Sequence, residues 1–229
     1  MLVDDIIANL RYGELSNHGM FLNEDLAESD KVRLIHHINV GLTELYTRFP
    51  LFTRELTLIQ LEGKTIYNLK SEYTYQAGTA PDFEHYILDS RDYPFDDDLI
   101  RVTAVYDEGG QERRINDSTA SCVVTFPAPD IIEIPEPIHL EALFLIYQAN
   151  HYKLDSLSHE VMLPANMLPA LLAYVAYRVY TGCTGQEHAM LANSMYQKYE
   201  LFCTQQLHYG TDNSIDMERN IKPCLGGWI

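Results

Sequence analysis

The chain has 229 residues, 46% of them hydrophobic and 21% charged, with a formal net charge of -17. That length fits one domain, or one domain carrying an insertion, with enough apolar side chains for a core that needs no disulfide staples. The charge excludes a protein that holds nucleic acid by its phosphates, which takes Lys and Arg, but such a chain can encircle DNA without gripping it.

In chain order, residues 4–11 read as a short helix with Ile6, Ile7 and Leu10 on one side. Gly13, Asn17 and Gly19 make a loop, and Ser29-Asp30 offers an N-cap. A helix over 31–49 follows, with Ile35, Ile38, Leu42, Leu45 and Phe49 on one face, and Pro50 stops it. Residues 56–61 and 65–69 read as strands around a Gly63-Lys64 turn, and 71–98, rich in Tyr, Asp, Gly and Pro, as a long ordered loop. Strands are expected over 100–106 and 121–126, with Gly109-Gly110 in a hairpin turn after the first. Four prolines between 127 and 137 limit 131–134 to a short or edge strand. Residues 139–150 fit a strand or a buried helix, and the preceding prolines favour the strand.

Pro164 suits the start of a second helical region. A helix over 166–180 is apolar on most sides, which predicts burial inside the subunit or against a neighbour. Gly182 and Gly185 end it, and a helix over 187–207 follows, with Leu191, Met195 and Phe202 on one face and Tyr196, Tyr199 and Cys203 beside it. The short connection predicts an antiparallel hairpin. The surplus of Tyr, 16 copies, suits half-buried surfaces and interfaces. From Gly210 the pattern is lost, and Pro223, Gly226 and Gly227 predict an extended tail ending in the lone Trp228 and Ile229. The fold class expected is α+β: an antiparallel helical bundle from 1–50 and 160–209, a β-rich insertion over 51–159, and an extended C-terminal arm over 210–229.

A search for chemistry gives little. Cys122, Cys183, Cys203 and Cys224 lie far apart, with no C-x-x-C pair, so free thiols in a cytoplasmic product are expected. The opening Met1-Leu2-Val3-Asp4-Asp5 has no long apolar run of a secretory signal, and the apolar stretch 167–180 is too short to span a bilayer. His36-His37 point about 100° apart on a helix and share one ion poorly. Asp96-Asp97-Asp98 lacks the spacing of a calcium loop and reads as a solvated turn. His159-Glu160 and His188 near Glu187 have no nucleophile at a recognisable spacing, and neither G-x-S-x-G nor a P-loop occurs. Arg113-Arg114 reads as a charged strand edge, an intersubunit ion pair or a phosphate contact. No catalytic, cofactor or metal residue is assigned.

The chain resembles the adaptor proteins of tailed bacteriophages, also called head-to-tail connectors. The residues that carry the resemblance are Asp4-Asp5-Ile6-Ile7-Ala8-Asn9-Leu10, then 34–50 with Ile38-Asn39 and Leu45-Tyr46-Thr47-Arg48-Phe49-Pro50, which is similar to the family's helix ending in an Arg-x-Pro-like element. Gly63-Lys64-Thr65-Ile66-Tyr67-Asn68-Leu69 resembles its hairpin. Val161-Met162-Leu163-Pro164 leading into 168–180, with Ala176-Tyr177-Arg178, resembles its third helix, and Tyr196-Gln197-Lys198-Tyr199-Glu200 matches its last helix in position. The span 71–137 is longer than in small members.

The resemblance implies a non-enzymatic virion protein of the neck or tail, assembled in the host cytoplasm. It implies a ring, commonly of twelve, that binds the portal and a tail nozzle or tube protein. DNA passes through the channel without specific binding, and no membrane is involved. Twelve copies would carry a formal charge of about -200. Ile221, Pro223, Leu225, Trp228 and Ile229 are expected in a portal-docking arm. Leu171, Tyr174, Val175, Tyr177 and Arg178 are expected in core and lateral helix contacts. The rival readings are another phage neck or tail component, such as a nozzle or tail-completion protein, and an enzyme whose site is assembled spatially from His, Asp and Glu.

Overall fold

The structure is a computed structural model that describes residues 1–21, 26–89, 94–117 and 123–208. It is α+β, and contacts divide it into two compact units. One comprises Met1–Pro50 and the described residues from Tyr152 onward; the other is Leu51–His151.

The first unit is helical. Helix α1 (Val3–Tyr12) buries Val3, Ile6, Ile7 and Leu10, the 3–4 spacing of one helical face. Asp4 and Asp5 sit in its first turn, where negative charge suits the helix dipole. The Leu2 N–H donates to the Asp5 carboxylate at 2.9 Å. Helix α2 (Glu28–Arg48) buries Leu34, Ile38, Leu42 and Leu45. Two expectations for it are corrected. It starts at Glu28, so Ser29 and Asp30 lie inside the first turn and do not cap it. Its inner face centres on Leu34, leaving Ile35 half-buried, because the 34, 38, 42, 45 spacing follows the 3.6-residue turn.

Helix α3 (Leu168–Thr181) has Pro169 in its first turn and buries nine of its fourteen residues. It touches α1, α2 and helix α4 (Gln186–His208). Its contact with α2 is close at Gly41, where an added Cβ would lie 2.9 Å from Leu171 Cδ1 and 3.1 Å from Tyr174 Cδ1. The contacts Asn166–Gln206, Tyr174–Tyr199 and Tyr180–His188 make α3 and α4 antiparallel. The segment after Tyr152 is wired to the N-terminal helices. The Asn39 side chain donates to the Leu154 carbonyl (2.8 Å) and accepts from the Leu154 N–H (2.9 Å). The Val3 and Val161 N–H groups donate to the carbonyls of His159 and Met1.

The second unit holds two sheets. The larger has strand order β3 (Thr74–Gln76), β4 (Ile87–Asp89), β1 (Thr53–Ile59), β9 (Ala142–Ala149), β5 (Leu99–Asp107), β6 (Glu112–Arg113). All its pairs are antiparallel except β3 with β4. The smaller has order β2 (Ile66–Asn68), β8 (Ile131–Glu133), β7 (Thr125–Ala128). Strand β9, flanked by β1 and β5, is buried along most of its length, and its strand reading holds. On β1, Leu56 and Leu58 alternate inward. They join Tyr67, Tyr86, Val105, Ile132, Leu145 and Tyr147 in the core.

The loop expected over 71–98 is corrected: it contains β3 and β4, three-residue strands paired in parallel. The strand expected over 121–126 is seen from Thr125 to Ala128, past Pro127, on the edge of the small sheet where a proline is tolerated.

Candidate functional site

Helices α3 and α4 meet through tyrosines. Tyr174 packs edge-on to Tyr177 and Tyr199, with centroids 5.8 Å and 5.1 Å apart, and Tyr177 lies 5.1 Å from Tyr196. Arg48 of α2 closes the cluster. Its guanidinium donates to both carboxylate oxygens of Glu200, at 3.0 and 2.9 Å, and lies 5.8 Å from the Tyr199 ring. This two-pronged bond holds the Glu200 carboxyl below its usual range. Burial pushes the Tyr199 phenol up, with the Cys203 thiol beside it. The rings fix α4 on the bundle side and decide which residues it turns outward.

The outward side is unusual for so acidic a chain. The buried strip of α4 is Ala192, Tyr199 and Cys203. The face expected to carry Leu191, Met195 and Phe202 is not the buried one: Leu191 is exposed and Met195 and Phe202 are only half-buried, because the Tyr199–Cys203 line sits between them against α3. Outward lie Met190 (66% exposed) and Leu201 (56%), with Asn193, Ser194, Gln197, Thr204 and Gln205 between and beside them and Leu207 on the flank. The helix carries three charged residues, Glu187, Lys198 and Glu200. Lys198 pairs with Glu14 at 2.9 Å and Glu200 with Arg48. Past Glu187 in its first turn, α4 therefore presents no unpaired Asp, Glu, Lys or Arg over about 26 Å of helix.

The residues expected in core and lateral contacts divide. Leu171 and Val175 are fully buried and Tyr174 nearly so, all within the chain's own helical unit. Tyr177 and Arg178 are half-buried at the edge of the tyrosine cluster. Ile221, Pro223, Leu225, Trp228 and Ile229 lie outside the described residues, as do Cys122 and Cys224.

The titratable groups read as structure. His37, on α2, has both ring nitrogens buried without a hydrogen-bond partner, and its pKa is pushed down to about 4 by burial and by the charges of Arg33 and Arg178. His18 Nδ1 accepts from the Met20 N–H at 3.2 Å, so its Nε2 carries the proton and donates to Cys183 Sγ at 3.4 Å. The thiol donates to the Val179 carbonyl. That polarity leaves the imidazole no lone pair facing the sulfur, so the two are not arranged as base and nucleophile.

The acidic run 96–98 is solvated in part: Asp96 and Asp97 are exposed, whereas Asp98 is half-buried. Asp98 binds Arg54 at 2.6 Å and accepts from the Tyr147 hydroxyl, and Asp97 accepts from the Ser71 N–H and hydroxyl. Arg113 pairs with Asp107 and Glu141, and Arg114 with Asp117. Among the described residues no group of three His, Cys, Asp or Glu side chains is placed to hold a metal ion. No helix among them is long and apolar enough to cross a membrane.

No protein-family model matches the chain, and no curated protein matches it.

Proposed function

We propose that this protein is a structural, non-enzymatic component of a phage particle. It is the subunit of a ring, of twelve copies on the family pattern, that joins the portal to the tail around the DNA channel. In this reading the helices form an antiparallel bundle, the strands form its insertion, and residues 210–229 are an arm that docks on the portal. The observation that carries the proposal is the outward face of α4. A chain with a net charge of -17 repels its own copies wherever carboxylates meet. The α4 face removes that repulsion and supplies exposed Met190 and Leu201 for lateral packing.

A strip one helix wide covers on the order of 250 Å², well below the roughly 800 Å² per partner of a stable interface. The α4 contact is therefore weak alone, and the portal supplies the valency that closes the ring. The test is the mass of the purified protein, alone and mixed with purified portal. A ring on the portal, or a ring in both conditions, is the expected result. A monomer indifferent to the portal overturns the reading. Deleting residues 210–229 is expected to leave the fold intact and abolish portal binding; a truncated protein that binds normally removes the arm from the proposal.

A further inference from the structure

The second unit has a pole opposite the end where its chain enters and leaves. Strand β1 ends there, β9 begins there, and β2 and β4 start beside them. A turn over 138–141 projects from this pole, closed by the Glu141 N–H donating to the Ile138 carbonyl at 3.1 Å. Its third residue, Leu140, has φ +62°, a conformation that turns reserve for Gly or Asn. Among the described residues the other non-glycine positions with positive φ are Asp97 and Asn116, whose side chains tolerate it. Leu140 is 51% exposed and Ile138 55%, so neither burial nor turn chemistry explains a leucine in that position.

The surrounding structure holds this turn in place. Gln60 is 2% exposed and all its polar groups face the turn. Its backbone carbonyl accepts from the Leu140 N–H, its N–H donates to the Glu141 carbonyl, and its side chain binds the Ile138 N–H and the Glu141 carboxylate. Pro135 and Pro137 stiffen the approach. The adjoining 60–65 turn carries Lys64, whose ammonium lies 4.5 Å from the Tyr86 ring and donates to the Phe83 carbonyl at 2.9 Å. It thereby holds one further outward apolar side chain, Phe83 (60% exposed), and Ile66 (55% exposed) lies two residues on from Lys64. A strained backbone kept rigid to display apolar side chains is a mark of recognition, since strain persists where the fold over-determines it.

Charge selects the occupant. The turns of the pole, residues 60–64, 81–86, 107–114 and 133–141, carry nine carboxylates and three cations. A second copy meeting it pole to pole would bring the same excess of negative charge, and the α4 face offers no unpaired cation to answer it. We propose that this pole is a docking knob for a different protein, one that offers an apolar socket edged with Lys or Arg. On the reading above, which assigns the portal to the arm, that protein is the tail-side neighbour; the inference rests on that reading for the partner's identity.

The test uses the full-length protein and the purified tail tube or nozzle protein as probe, with the purified portal as comparison. Leu140→Gly removes the knob's side chain and puts the favoured residue at positive φ, so its unfolding midpoint is expected to stay level or rise while tail binding weakens at least tenfold. Ile138→Ser and Phe83→Ser, both at exposed positions, are expected to weaken tail binding and spare the portal. Wild-type tail binding is expected to fall steeply between 50 and 300 mM salt. Variants that bind the tail protein as well as wild type does, lose the portal instead, or lose self-association overturn the knob and leave the adaptor reading standing. A wild-type protein that binds neither probe overturns both.

Discussion

Helices α3 and α4 lie against each other and are built on opposite plans. Nine of the fourteen residues of α3 are buried, while the 23-residue α4 buries Ala192, Tyr199 and Cys203. The shorter helix is the core of its unit, enclosed by α1, α2 and α4. The longer one is a surface with one side anchored by tyrosines. Apolar content alone therefore does not single out the α4 face; apolar surface left outside where the charges have been withdrawn does, and the proposed lateral contact rests on it.

The sharpest way to break this contrast is truncation on each helix. Leu171→Ala is expected to destabilise the helical unit by about 2–5 kcal/mol in urea unfolding, through the cavity it leaves. The same experiment on α4, Leu201→Ala, gives the smallest effect, within about 0.5 kcal/mol, and is read instead as weaker self-association by sedimentation.

Acid comes next. His37 is held neutral in the folded protein down to about pH 4, whereas in the unfolded chain it titrates near 6.5. The unfolded state then binds more protons between these values, so stability falls as pH is lowered through that window and is level above it. The loss is on the order of 2 kcal/mol. Burial first, then the charges of Arg33 on α2 and Arg178 on α3, with His36 facing it, hold the ring neutral, and His18, also lowered by burial, adds to the slope. His37→Leu is expected to flatten the pH dependence of the unfolding midpoint; an unchanged slope assigns it to other groups.

Arg48→Met is expected to cost about 1–2 kcal/mol and to loosen α4, since it removes a two-pronged bond that is only partly exposed. Gly41→Ala sharpens the α2–α3 contact. Helix propensity favours alanine by roughly 1 kcal/mol, but its Cβ meets the fully buried Leu171 at 2.9 Å. The clash is expected to win by about 1 kcal/mol, and a stabilised variant would show that α2 and α3 separate freely.

Much of the fold is legible in the sequence where local pattern and tertiary packing agree. The four helices follow from their 3–4 spacing and β5 from its β-branched residues, whereas β9 fits strand and buried helix alike and only the prolines before it favour the strand. Strands β3 and β4 are not legible: three residues between turn formers carry no periodicity, and parallel pairing adds no local signal. The start of α2 is misplaced because Ser29 and Asp30 suit a cap equally well as a first turn. The outer face of α4 can be found afterwards by noting which side lacks charge, but choosing that side needs the position of Tyr199. The turn at Leu140 is unreadable, since leucine announces neither a turn nor positive φ.

The two ends of the second unit are stitched together: the Ala149 N–H donates to the Phe52 carbonyl at 2.9 Å, and Thr53 stands opposite Gln148. That seam sets an order of events on the ribosome. Helices α1 and α2 emerge before α3, so the α2 face around Gly41, which meets Leu171 and Tyr174, has no partner helix until residues near 181 have been made. The second unit, about a hundred residues, can close in the interval, and at roughly 5–20 residues per second the wait lasts several seconds. Throughout it, the first two helices offer their bare apolar stripes to whatever chaperone meets them.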